Sequence, residues 1–377
     1  MADVNTESSR ICEYIDYFLQ PLSTLHPAYI KDTYDFVQKI RGTEVDPSWL
    51  LITADVESLY TNMQLHRIIE TVQEAFEEFP DPSRPDHALI ELLKITLYYN
   101  DFEFDSQFFL QICGVAMGRK YAPSTANLYL KKFDKAARED FHIHPLLYSR
   151  FLDDIFGVWP GTRAQLTLFQ EFLNSLIPGI KVTFTVRTHI IEFLDTQIYK
   201  HYDSEGRCTL QTKVYFKPTD THQLLHRTSF HPTHTFDSII NCQFIRFKRI
   251  SSCVQDFQQA CSILIEVLTT RGYSLSKLLR MKRKIWHNYI TDPSVNHTTD
   301  SQTTKKDIIP VITYYDLHHS RINRKWSTIL RDNPILRDTR IISAYKKHRN
   351  LRNILVKGRY TTQDPAELLL SALIAAL

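Results

Sequence analysis

The chain has 377 residues, 43% of them hydrophobic, enough for two or three structural units around a sizeable core. Its formal net charge of +3 looks neutral but hides a split: residues 51–110 carry twelve Asp/Glu against three Lys/Arg, and residues 241–290 carry nine Lys/Arg against two Asp/Glu. No apolar run approaches the ~20 residues that span a bilayer, the N-terminus is polar and does not read as a signal peptide, and six scattered cysteines without a C-x-x-C pair fit a reduced protein inside the cell, nuclear or cytoplasmic, better than a disulfide framework or zinc ribbon.

In chain order, residues 9–41 read as helices interrupted by Pro21 and Pro27. "SWLLITADVESLY" reads as a buried strand, Trp49 to Ala54, ending at Asp55. "LHRIIETVQEAFEEF" and "ALIELLKITLYYN" are helices, the first amphipathic, and the alternation in "DFEFDSQFFLQIC" is that of a β-hairpin. A loop, "GVAMGRKYA", leads to Pro123, which suits the first turn of a helix running through "STANLYLKKFDKAARED". "LLYSRF" and "IFGVWP" make a second hairpin around Leu152, Asp153 and Asp154. A helix, "RAQLTLFQEFLNSLI", precedes strands at "KVTFTVRTH", "IIEFLDTQIYK" and residues 208–216. Residues 236–290 are helical and basic, 291–307 a polar linker, and 308–360 a basic, aromatic module. The tail "QDPAELLLSALIAAL" carries a helix-start signature in Asp364, Pro365 and Glu367.

Three of these elements together carry chemistry. A strand ends in Asp55, a glycine-bearing loop leads into a helix, and a hairpin presents Asp153 and Asp154. An acidic dipeptide alone is usually a solvated turn. Carboxylates at a strand end and a neighbouring hairpin tip can instead converge on hard divalent cations, which favour oxygen ligands. Two such ions can activate a primer 3′-hydroxyl and stabilise the leaving pyrophosphate. Without metal, the carboxylates should repel one another and be strained or partly protonated.

The wording of the motifs resembles the reverse transcriptases of Penelope-like retroelements. "DVESLYTNM" resembles that family's first palm motif, "QICGVAMGRKYAPSTANLYL" its second, "RFLDDIFGVW" its third and "IIEFLDTQIYK" its primer-grip strand. "KPTDTHQLLHRTSFHPTH" resembles the opening of its thumb, and "ILRDNPILRD" with "AYKKHRNLRNILV" its connector, so the resemblance runs from about Arg10 to Lys357. It implies an α+β fold: a right-hand polymerase palm, an antiparallel sheet backed by helices, followed by a helical thumb and connector. The implied division is a helical remnant at 1–48, palm at 49–216, basic thumb at 217–290, linker at 291–307, connector-like module at 308–360 and an apolar helix at 361–377.

By the same resemblance, Asp55 and Asp153 are the metal-binding carboxylates, Asp154 the less direct partner, and the Val56 carbonyl a further oxygen. Two Mg2+ ions, with Mn2+ as a substitute, are the implied cofactors. RNA template, DNA primer and deoxynucleoside triphosphates are the implied partners. Tyr60 matches an aromatic gate that rejects a ribose 2′-hydroxyl; a plain core tyrosine is the other reading. Gly114 and Gly118 would admit the nascent base pair, or simply serve a turn. Arg119 and Lys120 would meet phosphate or template backbone, or be solvated charges, and Asn127 would face the nucleotide or pack its helix. Lys181 is a candidate proton donor to pyrophosphate, or an exposed strand lysine. Phe193 and Leu194 would hold the primer end, or fill the core. Arg246, Lys248, Arg249, Lys277, Arg280, Lys282, Arg283 and Lys284 would line a template–primer duplex, or form a solvated face. His222, His226, His231 and His234 fit no common zinc-finger spacing and are expected to bond nucleic-acid backbone or the fold itself.

The resemblance departs from the family at both ends. Most of the finger strands upstream of the first palm motif, and a GIY-YIG nuclease after Tyr360, have no counterpart in the sequence, so triphosphate binding and catalytic activity are open. A catalytically inactive nucleic-acid-binding remnant is the alternative expectation.

Overall fold

The computed structural model of the chain describes residues 8–116, 118–291, 308–316, 325, 326, 328–330, 332, 333 and 340–346. The expected apolar helix at 361–377, nearly all of the linker and much of the connector-like module lie outside the described residues. Contacts divide the chain into two units, Met1–Leu224 with Asn241–Trp286, and Leu225–Ile240 with His287–Leu377.

The first unit is organised by strand β1 (Leu50–Val56), which pairs antiparallel with β5 (Asp154–Trp159) on one side and β6 (Val182–Arg187) on the other. β4 (Leu147–Phe151) pairs with β5 and completes a sheet in the order β4-β5-β1-β6. A strand sends alternate side chains to opposite faces, and β1 is apolar on both. Leu50, Ile52, Ala54 and Val56 enter one core, and Leu51 enters another. β5 divides likewise, Ile155 and Trp159 to the first core and Phe156 and Val158 to the second. Burial on two faces explains why these strands read as near-continuous apolar runs.

Helices α1 (Ser9–Ser23), α4 (Leu65–Glu78), α5 (Asp86–Tyr98), α6 (Ala122–Tyr129), α7 (Lys131–Glu139) and α8 (Arg163–Leu176) contribute to the first core. The second core holds α2 (Thr33–Ile40) and a three-stranded antiparallel sheet, β7 (Ile190–Phe193), β8 (Thr196–Tyr202) and β9 (Cys208–Val214). Its centre is a triangle of rings: Phe36 lies 5.0 Å from Phe156 and 4.6 Å from Phe193, and those two are 5.6 Å apart. The short α3 (Leu59–Asn62) follows β1, and the hairpin of β2 (Asp101–Phe104) and β3 (Gln107–Leu110) is exposed along both strands.

Two local expectations are corrected. Pro21 does not interrupt a helix but sits inside the last turn of α1, where the carbonyl it fails to bond belongs to exposed Tyr17. The helix predicted through "STANLYLKKFDKAARED" is two, α6 and α7, meeting at buried Leu130.

Three further helices follow, α9 (Thr233–Ile250), α10 (Val254–Thr270) and α11 (Leu275–Thr291). The α9–α10 junction is stitched to the three-stranded sheet: Thr212 Oγ1 donates to the Ile250 carbonyl at 2.6 Å, Ser252 N to the Thr212 carbonyl at 2.8 Å, and Tyr199 Oη to Asp256 at 2.6 Å. The second unit contains a parallel pair, β10 (Ile308–Tyr314) with β11 (Arg340–Lys346), and the Tyr345 ring contacts those of His234 and Tyr315.

The segment before α2 closes the open edge of β4, with Arg150 N donating to the Ala28 carbonyl at 2.7 Å and Ile30 N to the Arg150 carbonyl at 3.1 Å. It also buries His26, whose Nδ1 lies 3.3 Å from Asp134 Oδ2, within ion-pair reach but without hydrogen-bond alignment. Burial lowers the His26 pKa to about 4 despite the opposing pull of Asp134. A histidine depressed in the folded state binds its proton more readily when unfolded. Its stabilising contribution is therefore complete above about pH 6.5 and disappears as pH falls towards 4. Thermal melts at pH 7.5 and pH 5 should show a smaller acid-induced loss of Tm in His26→Gln than in the unaltered protein.

Candidate active site

β1 presents Asp55 between buried Ala54 and Val56, on the opposite face from both, directly across from Asp154 on β5 and Thr183 on β6. Directly opposed residues share a face of the sheet. Asp55, Asp154 and Thr183 accordingly line one cleft of about 270 Å³, with Thr53, Thr185, Glu192, Phe193, Leu194, Tyr215 and Lys217.

The turn between β4 and β5 consists of Leu152 and Asp153. Leu152 has φ +54°, a left-handed conformation unusual for leucine and costing about 1 kcal/mol. Asp153 is tied back to β1, its carbonyl accepting from Val56 N at 2.9 Å. Val56 itself is buried. The carboxylate assigned the less direct role, Asp154, is thus the cross-strand partner of Asp55, while Asp153 sits in the turn.

Asp55 and Asp154 are both perturbed by burial and by acidic neighbours. Burial first, then Asp153 and Asp55, push the Asp154 carboxyl up to about 6, with Lys217 pulling the other way. Asp55 is raised by burial, Asp153 and Glu57. All-oxygen donors held together against their repulsion suit a hard dication. Among the described residues no group of three or more His, Cys, Asp and Glu is gathered as metal ligands. Asp55 and Asp154, opposed across the ladder, are the pair that could hold such an ion.

The other candidates separate into those near this cleft and those turned inward. Tyr60, on α3, is partly buried; burial and then Asp153 raise its hydroxyl pKa. Gly114 holds the following loop against α3. Its φ is +78°, and a Cβ there would lie 2.5 Å from the Tyr60 carbonyl oxygen, so a tight backbone approach requires glycine. Gly118, also at positive φ, and Lys120 are exposed. The Lys181 carbonyl accepts from the Glu57 N–H at 2.9 Å, but its ammonium donates to the Asn174 carbonyl at 3.1 Å. Leu194, with φ +54°, makes the β7–β8 turn at the cleft wall, and Phe193 is mainly a core ring.

Arg119 fits neither of its expected roles, and Asn127 takes the packing alternative. Arg119 is buried and donates to Ser8 Oγ, Cys12 Sγ and, at 2.7 Å, Asn100 Oδ1. Asn127 is buried and accepts from Arg150 Nη1 at 2.9 Å. Both are drawn into the interior because a buried polar group needs partners.

The basic segment divides in the same way. Arg246 is committed to Asp195, at 2.7 and 2.8 Å. Lys248 lies 4.0 Å over the Trp286 ring, its pKa lowered by burial and Arg41, and Arg249 lies 5.0 Å over Tyr34. Lys277, Arg280 and Lys284 recur at helical spacing along one face of α11, beside Lys282 and Arg283. The histidines do not cluster: His222 pairs with Asp220, His226 with Thr228, and His231 and His234 contact Phe236 and Tyr345. Glu57, Tyr215 and Lys217 were not anticipated; Lys217 reaches the cleft only through the fold of the three-stranded sheet, which no local pattern announces.

The fold is similar to that of telomerase from Candida albicans, solved in complex with a TWJ fragment of telomeric RNA, with a TM-score of 0.52 at 10% identity over 75% of this chain and 52% of that one. The RNA-dependent RNA polymerase of a human picorbirnavirus aligns at a TM-score of 0.47 and 15% identity over 74% of this chain and 56% of that one. Apo telomerase from Candida tropicalis aligns at 0.42 and 12% over 76% and 54%. The chain thus spans about half the length of these proteins. The model of the animal helix-turn-helix domain matches residues 223–283, which contain α9, α10 and about half of α11. No curated protein matches the sequence. Among the described residues no helix is long and apolar enough to cross a membrane. The chain carries a polymerase-like fold of antiparallel sheet and helices.

Because the folded state raises the Asp154 pKa, ionisation of Asp154 opposes folding. Stability from this group is complete below about pH 3.8 and lost as pH rises through about 6. In EDTA, Asp154→Asn should raise Tm at pH 7.5 and leave it nearly unchanged at pH 4.

Proposed function

We propose that this chain is a template-directed polymerase of the reverse-transcriptase type, joining deoxynucleotides to a primer 3′-hydroxyl on an RNA template. The single observation that carries this reading is the opposition of Asp55 and Asp154 across the β1–β5 ladder, with Asp153 in the adjoining turn, inside a polymerase-like fold. A retroelement of the Penelope-like type is the origin that the motif wording favours.

Asp55 and Asp154 would hold Mg2+, or Mn2+ in its place, with the Val56 carbonyl as a further oxygen. When bound, such an ion supplies Lewis-acid stabilisation of the reacting phosphate and its leaving group. The chain's own residues bind and orient. Raised carboxylate pKa values mean that the site gains most from a dication near neutral pH, where both groups are charged. Lys217 offsets part of that charge beside Asp154. The Tyr60 ring would exclude a 2′-hydroxyl by steric contact. Lys277, Arg280 and Lys284 would meet phosphates of the template–primer duplex, making binding strongly salt-dependent.

A second reading has its own support. The helix-turn-helix match at 223–283 favours nucleic-acid binding by α9–α11 without any requirement for catalysis.

Primer extension on an RNA template with Mg2+ and deoxynucleotides separates the two. Extension should occur and fall by ~10³-fold in Asp154→Asn, the loss expected when several kcal/mol of charge stabilisation is removed. Absence of extension, with salt-sensitive duplex binding retained, supports the binding module instead. In the active protein, Tyr60→Ala should raise ribonucleotide incorporation relative to deoxynucleotide by ~10- to 100-fold, read from competing extensions.

A further inference from the structure

Arg150 is fully buried on β4, one of the most completely enclosed side chains of the first unit. All its N–H groups are engaged. Nε lies 2.9 and 3.0 Å from the two Asp134 oxygens, and Nη2 lies 2.7 Å from Asp134 Oδ2 and 3.3 Å from the Asn127 carbonyl. Nη1 donates to Asn127 Oδ1 at 2.9 Å and to the Leu152 carbonyl at 2.8 Å. Tyr148 Oη adds a bond to Asp134 Oδ1 at 3.1 Å.

The last contact of Nη1 is the informative one. The Leu152 carbonyl belongs to the peptide group that joins Leu152 to Asp153. Fixing that oxygen fixes the peptide plane, and with it the direction in which the chain enters Asp153. The next carbonyl, that of Asp153, is held by Val56 N. The turn is therefore gripped on both sides while Leu152 stays in a left-handed conformation that its own side chain disfavours. Backbone strain persists only where its surroundings over-determine it. A buried ion pair is by itself poor evidence for stability, since apolar residues of like volume often serve as well. An apolar pair could not hold the Leu152 carbonyl. A lysine could not hold it and both Asp134 oxygens at once, having a point-like head in place of a planar fork.

We infer that Arg150 is a positioning residue for the candidate active site: anchored by Asp134 on α7 and Asn127 on α6, it holds the Leu152–Asp153 peptide and so aims Asp153 and Asp154 towards Asp55. The inference rests on the polymerase reading above and adds the element that keeps the carboxylates in place.

The test uses the full chain, with Mn2+ binding followed by electron paramagnetic resonance and primer extension resolved into kcat and KM. Arg150→Lys should bind Mn2+ ~10- to 100-fold more weakly, the range found when groups supporting a metal site are altered. Its kcat should fall by ~100-fold with KM for primer–template nearly unchanged, since the metal-binding carboxylates are misplaced while the duplex-binding surface is untouched. Tyr148→Phe, which loosens Asp134 without touching the Leu152 carbonyl, should lower Tm but bind Mn2+ as the unaltered protein does. If Arg150→Lys does not melt cooperatively, Asn127→Ala, which frees Nη1, decides by the same readouts, with a loss of ~3- to 10-fold. A folded variant that keeps Mn2+ affinity and kcat, while Asp154→Asn loses both, overturns the positioning role alone. Unaltered protein whose Mn2+ binding is absent, or is indifferent to Asp55→Asn and Asp154→Asn, overturns the polymerase reading and the inference with it.

Discussion

Strand β1 sends one face wholly into a core, and on its other face only Leu51 is enclosed before Thr53 and Asp55 open onto the cleft. Two cores grip the same strand from opposite sides, one through Ile52 and Ala54, the other through Leu51. A strand so held cannot slip by one residue without sending every apolar side chain to the wrong core. The register that opposes Asp55 to Asp154 is therefore set by hydrophobic packing several residues away. Like charges could not have selected that arrangement themselves, since their mutual repulsion opposes it.

How much of this is legible in the sequence follows from the range of the interactions involved. β1 and the β4–β5 hairpin are readable because two-sided burial writes an apolar run, and a carboxylate ending such a run is conspicuous. The same reasoning places α4, α5 and α8, whose apolar periodicity is local. Arg119 is misread, and the choice between two readings of Asn127 could not be made, because their partners are distant along the chain: Ser8, Cys12 and Asn100 for one, Arg150 for the other. A polar residue beside a functional loop looks the same in sequence whether it faces substrate or interior. Arg150 went unnoticed for a similar reason. It sits in a short mixed strand, between Ser149 and Phe151, and its meaning depends on Asp134 from a helix that precedes it. Lys217 and Glu57 became visible only when β6 and the three-stranded sheet were assembled around the cleft.

The charge split along the sequence also changes meaning in three dimensions. The basic segment looks like a single surface for a polyanion, yet Arg246, Lys248 and Arg249 hold α9 to its surroundings through a carboxylate and aromatic faces. The remaining cations of the segment recur along α11. The acidic segment is likewise divided: Glu74 and Glu78 pair with Lys132 and Lys131 between α4 and α7, while Glu57 stands at the cleft. Net charge over a window counts both kinds alike, and only pairing distinguishes structural charges from those available for recognition.

The turn at Leu152 bears on the direction in which mutation would carry this protein. Glycine at 152 would relieve the left-handed backbone, and asparagine at 154 would remove a carboxylate that resists ionisation. Each exchange is a single step towards a more stable molecule. The two positions flank Asp153, and the exchanges would slacken the grip on the carboxylates or discard one of them. A variant library sorted only for thermal resistance should therefore drift first at this turn, whereas one sorted for chemistry should keep the less comfortable residues. Local discomfort of this kind marks the place in a fold where stability and use part company.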